Sequence, residues 1–178
     1  MPTTPLRCTC GQVRLEVVDR SILNAECLCT SCRTAGETFR ALPGAPGFQA
    51  STGGTPYVLY RKDRVRFLGG QEHLRELRLT EKASTRRVLA TCCNAPLFLE
   101  FESGHWLSLY ASLWPASARP AMELRTMAGD LPEGTELPSD LPNPRSHTAS
   151  FMFKLLAAWI RMGFRRPAID VGRRALEL

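Results

Sequence analysis

Cys8-Thr9-Cys10-Gly11-Gln12-Val13-Arg14-Leu15-Glu16-Val17 is the stretch on which the fold turns. From Gln12 to Val17, polar and apolar residues alternate, the pattern of a half-buried β-strand. Cys8 and Cys10 lead into it. Side chains two residues apart on an extended chain point to one side, so both sulfurs can reach one ion. Gly11 lets the backbone turn behind them. A strand that starts on a thiol pair needs further thiols elsewhere in the chain to complete a metal site.

Those thiols are present. The chain has seven cysteines, in three tight clusters: Cys8 and Cys10; Cys27, Cys29 and Cys32; and Cys92 and Cys93. The clusters divide into four plus three. A structural zinc takes four protein ligands, whereas a catalytic zinc keeps three and leaves one position open. Disulfides fit less well. The first residues, MPTTPLRCTCG, contain no apolar h-region and no small-residue cleavage site. An odd count also leaves one thiol over. The expectation is a cytoplasmic protein with reduced thiols.

Adjacent Cys92 and Cys93 would face opposite sides of a strand. They reach one ion only if the chain turns, and Asn94-Ala95-Pro96 supplies turn chemistry. Cys8, Cys10, Cys92 and Cys93 would then close a four-thiolate site. Alternatively, Cys92 is a buried neighbour of a three-cysteine site. Cys27, Cys29 and Cys32 have no fourth cysteine left. With metal, they could hold and deprotonate an external thiol; without it, they could act as a dithiol redox centre. Arg33 would lower thiol pKa values or hold a substrate carboxylate, unless it is an ordinary surface charge. His73, His105 and His147 are distant in sequence, and His147 reads as ordinary surface. No carboxylate or histidine lies inside the loop to act as a base; Glu26 and Glu37 only flank it.

The 178 residues carry a net charge of +6 and are 44% hydrophobic, enough for a sizeable core. No apolar run reaches the roughly 18 residues of a membrane span. Arg61, Lys62, Arg64 and Arg66 interleave with Val65 and Phe67 as on a solvated strand face, so nucleic-acid binding is not expected. Short strands are expected over 12–17, 25–29, 57–68, 74–79, 87–90 and 96–101, with a strand or short helix over 106–113. The Gly- and Pro-rich segment 43–56 reads as a long loop able to border a pocket. This gives a β domain over 1–114. Residues 115–178 read as a Pro-punctuated extended segment followed by the one clear helix, Ser150–Phe164. Thr148 or Ser150 would cap that helix. It is apolar around most of its girth, so it should be covered by the core or by a second copy in a homodimer. Attachment to an anionic membrane through Arg165, Arg166, Arg173 and Arg174 is the alternative.

The order Cys8-x-Cys10-Gly11, then Cys27-x-Cys29-x-x-Cys32-Arg33 with Gly36, then Cys93-Asn94-Ala95-Pro96-Leu97, resembles the glutathione-dependent formaldehyde-activating enzyme family. This family is also called the centromere-protein-V family. The resemblance covers roughly residues 5–110. It implies a mainly β fold, a β-tent of twisted antiparallel sheets around zinc, here with a C-terminal helical extension. It implies a structural zinc on the first CxC and a late cysteine pair. It implies a second zinc on Cys27, Cys29 and Cys32, where glutathione meets formaldehyde. Thr91-Cys92-Cys93-Asn94 departs from the family's CxxCG, with Ala90 where the first cysteine would fall, so Cys92 must substitute through a local shift. Three functions follow as expectations: a carbon–sulfur lyase acting on a thiol–aldehyde adduct, a non-catalytic zinc-stabilised binding module, or a thiol redox or metal-carrier protein.

Overall fold

Period-two patterning builds a first hairpin. β1 (Thr3–Arg7) and β2 (Arg14–Val18) pair antiparallel, with Leu6 opposite Leu15. Val13, Leu15 and Val17 are buried, while Arg14 is exposed and Glu16 half-buried between them. β5 (Val65–Gly69) adds on β2 to complete a three-stranded sheet. The computed structural model describes residues 1–171, 175 and 176.

The second sheet has seven strands. They are β3 (Leu23–Cys27), β4 (Thr55–Arg61), β6 (Leu74–Leu77), β7 (Thr85–Ala90), β8 (Ala95–Phe101), β9 (Trp106–Tyr110) and β10 (Leu124–Thr126). Their order is β10-β3-β4-β9-β8-β7-β6, antiparallel throughout except that β10 runs parallel to β3. The fold is mainly β with two sheets and a C-terminal helix, as the sequence led us to expect.

The two faces of the larger sheet support separate cores, because successive side chains point opposite ways. Val58, Leu107 and Leu109 pack with Leu15 and Phe98 toward the small sheet. Tyr57, Leu59, Leu99 and Tyr110 pack with Phe39, Phe151 and Leu155 on the other face.

Three elements differ from the sequence expectation. The segment after Cys29 is a helix, α1 (Thr30–Arg40), and not a loop. Its buried stripe is Cys32, Ala35, Gly36 and Phe39, at helical spacing. Small residues make that stripe a weak hydrophobic signal. At Gly36 a Cβ would fall 2.2 Å from Gln49 Nε2, so any larger residue would displace the Gln49 side chain. In the Pro-rich segment, Leu124–Thr126 is not merely laid over the core but forms β10. Lys62 is not on a solvated face. It is 3% exposed, with Nζ 2.5 Å from Glu100 Oε1. Glu100 also accepts from Arg86 Nε at 2.6 Å, and Arg86 reaches on to Glu76 at 2.9 Å.

The C-terminal helix, α2, spans Ala149–Arg161, and Thr148 Oγ1 caps it by accepting from Phe151 N at 3.1 Å. Phe151, Leu155, Ala158 and Met162 form its covered stripe. Coverage over most of the girth is not found within one chain. Phe153 is 70% exposed and Ile160 53%, with Met152 and Leu156 beside them. Among the described residues no helix is long and apolar enough to cross a membrane. Arg173 and Arg174 lie outside the described residues.

Candidate metal centres

Two groups of thiols converge, each with sulfurs within 4.8 Å of one another: Cys8, Cys10, Cys92 and Cys93, and separately Cys27, Cys29 and Cys32. The first group joins the loop after β1 to the turn between β7 and β8. Gly11, at φ +81°, lets Cys8 and Cys10 fold back over the ion position. Asn94, at φ 52°, makes the corresponding turn after Cys93. Cys92 Sγ lies 3.3 Å from Cys10 Sγ and 3.7 Å from Cys8 Sγ, and Cys8 and Cys10 are 3.6 Å apart. Sulfurs bound tetrahedrally to one ion at zinc–thiolate distances stand ~3.8 Å apart, so the set fits a four-thiolate ion. Backbone amides support the anionic form. Val13 N donates to Cys8 Sγ at 3.3 Å. The Gln12 amide is the main reason that the Cys10 thiol falls to about 7.

The second group is built by the β3–α1 junction. Cys27 ends β3, Cys29 is the N-cap of α1, and Cys32 lies in its first turn. A helix N-terminus favours thiolate. Donation from the Cys27 and Cys32 thiols draws Cys29 well below the usual thiol range, making it the first to ionise. The same sharing, with burial, pushes Cys27 up.

Beneath Cys32 is a buried polar layer. Tyr57 Oη is 3.8 Å from Cys32 Sγ, and Tyr57 and Tyr110 stack edge-on at 5.0 Å. Arg87, 1% exposed, donates through Nη2 to Ser31 O at 3.1 Å and Ser31 Oγ at 3.2 Å. Among the described residues its Nε and Nη1 have no hydrogen-bond partner and no carboxylate pairs with it. Three thiolates on a divalent ion carry one net negative charge, which a buried guanidinium would balance. The donor set and this orphaned cation both fit a metal at Cys27, Cys29 and Cys32.

These three cysteines open on a cavity of about 630 Å³. Its walls come from β3, β4, β8 and β9 and from the chain beyond 114, including Thr126, Met127, Asp130, His147, Phe151 and Leu155. The 43–56 loop, expected to border a pocket, contributes nothing to this lining; its Phe48 packs on Tyr110 at 5.3 Å. Arg33 does not line the cavity either. Its Nη2 donates to Asp130 O at 3.0 Å. Glu26 faces away from the thiols, within 3.3 Å of Arg125 Nε.

Two candidate participants escaped the sequence reading. Arg87 reads only as a strand residue, since nothing local marks it as buried. His147, read as ordinary surface, stands exposed at the cavity wall. Its ring stacks on Phe151 at 4.4 Å, and Nδ1 is 3.0 Å from Thr126 Oγ1. Thr126 is the partner of Cys27 in the β10–β3 ladder, a pairing across about a hundred residues that no local pattern announces.

The molecule is thus a small β protein with one closed four-thiol set and one open three-thiol set. It belongs to the DUF6151 family, a family of unknown function, whose pattern matches residues 2–114. A solved structure of a Rhodobacter sphaeroides protein is similar at 14% identity, covering 79% of this chain and 99% of that one, with a TM-score of 0.46. No curated protein matches the chain.

Proposed function

We propose that Cys8, Cys10, Cys92 and Cys93 hold a structural zinc, and that Cys27, Cys29 and Cys32 hold a second zinc that activates an external thiol for carbon–sulfur chemistry with an aldehyde. The observation that carries this is a three-thiol set facing a cavity with no fourth protein ligand among the described residues. The resemblance to the glutathione-dependent formaldehyde-activating enzymes supplies the reaction class. The division into a β domain over 1–114 and a tail that completes the cavity is part of the same reading.

Bound zinc would lower the pKa of the incoming thiol. The chain's own residues do the rest. Arg87 offsets the negative charge of the thiolate set from below. With Nδ1–H donating to the Thr126 hydroxyl, His147 is held so that Nε2 can accept a proton. The thiol proton passes to Nε2, the sulfur bonds to the aldehyde carbon, and the carbonyl oxygen takes the proton back, giving an S-hydroxyalkyl thioether. The apolar walls keep bulk water from the adduct.

Metal analysis of the purified protein tests this directly. We expect two zinc ions per chain, and one in Cys29→Ala at an unchanged melting temperature. A single ion in the wild type would rule out the second site.

One observation favours a second role. The exposed face of α2, with Phe153, Leu156 and Ile160, suits contact with another copy of the chain, as in a homodimer.

A further inference from the structure

We propose that the cavity beside Cys27, Cys29 and Cys32 takes a thiol with an uncharged, largely hydrocarbon body rather than a charged thiol such as glutathione. The proposal rests on reading the three-thiol set as an open thiol-binding centre.

The cavity wall carries the inference. Leu59, Leu99, Phe101, Trp106, Phe151 and Leu155 surround the space, and among the described residues no lysine or arginine lines it. Among the described residues, Asp130 is its one carboxylate and His147 its one imidazole. Glutathione carries two carboxylates and one ammonium. Its carboxylates would need cations or free amides, and the two arginines beside the thiols, Arg33 and Arg87, do not line the cavity. The Thr30 amide donates to Asp130 Oδ2 at 3.1 Å. The Cys32 and Arg33 amides donate to Cys29 O at 3.0 and 3.1 Å. Arg33 Nη2 is held by the Asp130 carbonyl, and Arg87 Nη2 by Ser31. A free carboxylate would instead meet Asp130. Buried without partners, charges are strongly disfavoured, whereas a hydrocarbon body gains by leaving water. At about 630 Å³ the space is large enough for such a body and falls within the range of roughly 300–1,000 Å³ typical of small-molecule sites.

The test uses the full chain with cobalt(II) in both sites, where sulfur-to-metal charge-transfer absorption reports a new thiolate. The closed site has no position to add one, so changes report the open site. 2-Phenylethanethiol and glutathione are titrated separately. We expect the apolar thiol to half-saturate at a concentration at least tenfold lower. Phe101→Lys adds a cation at a wall residue that is 38% exposed, and should bring the two thiols to near parity. Phe101→Leu should keep the preference. Thr85→Lys, on the residue paired with Phe101 in the β7–β8 ladder, repeats the test should Phe101→Lys not fold. Tighter or equal binding of glutathione to the wild type overturns this inference and leaves the open-site reading standing. If neither thiol changes the cobalt spectrum, the open site falls and the inference with it. A preference unmoved by either lysine also overturns the inference, because the wall then does not choose the ligand.

Discussion

Arg87 Nη2 ends 4.0 Å from Cys32 Sγ, deep under the three-thiol set, and pairs with no carboxylate among the described residues. A lone buried guanidinium is costly unless an anion balances it. The metal-free and metal-bound proteins should therefore answer its removal with opposite signs. Arg87→Met should raise the melting temperature of protein stripped at the open site, since an unpaired charge is lost. It should also weaken metal binding there about tenfold or more, read by competition with a chelating dye. Unchanged metal affinity would show that Arg87 does not answer to the thiolates.

The closed set makes a different prediction. Cys8 and Cys10 sit beside the small sheet and Cys92 and Cys93 in the β7–β8 turn of the large one, so a bound ion would staple the two sheets together. Metal-binding free energy at such a set would be folding free energy. Cys93→Ala and Cys92→Ala should each lower the melting temperature by about 10 °C or more, at ~2–4 °C per kcal/mol for a chain of this size. Thermal melts of both variants, followed by circular dichroism, check it. A wild-type melt for Cys92→Ala alone would reduce the set to three ligands.

The buried ion network gives a pH dependence. Burial alone would raise the Glu76 carboxyl, but hydrogen bonds from Arg86 and Arg78 outweigh it and hold Glu76 below the usual range. A folded-state value below the unfolded one contributes stability above the unfolded pKa. That stability is lost as the pH falls through the folded value. Glu76→Gln should therefore be less stable than wild type at neutral pH, and the difference should shrink on acidification. Urea melts of the pair across the acid range measure it. A constant gap would mean that the Arg86–Glu76 contact carries no titrating stability.

On α2 the two faces should separate cleanly. Leu155 is 4% exposed, and Leu155→Ala should cost about 2–5 kcal/mol. Phe153 is 70% exposed, and Phe153→Ser should leave the stability of a single chain within ~0.5 kcal/mol. If the outer face joins two copies, Phe153→Ser should lower the sedimentation coefficient of the wild-type species at equal concentration. A monomeric wild type removes the homodimer.

The sequence made both thiol sets visible because ligand spacing is local: CxC and CxCxxC declare themselves within a few residues. Strand alternation did the same for β2 and β5. What stayed hidden depended on distance or on weak side chains. α1 was missed because Cys32, Ala35 and Gly36 are small. β10 was missed because three residues between prolines carry no period, and its pairing with β3 is set by tertiary contacts. Lys62 and Arg87 were misjudged because burial of a charge depends on partners elsewhere, and His147 because its neighbour Thr126 sits in that unforeseen strand.

The parallel β10–β3 ladder, sealed by the Leu28 amide on Thr126 O at 3.0 Å, also orders events in time. Chains are synthesised from the N-terminus at about 5–20 residues per second. Cys27, Cys29 and Cys32 therefore emerge well before β10, His147 and α2 exist. For some seconds, on the order of the time needed to make the intervening chain at that rate, the three thiols face solvent without their outer wall. A metal delivered in that interval would meet open thiols, and the later-made β10 and α2 would then close an apolar cover over it.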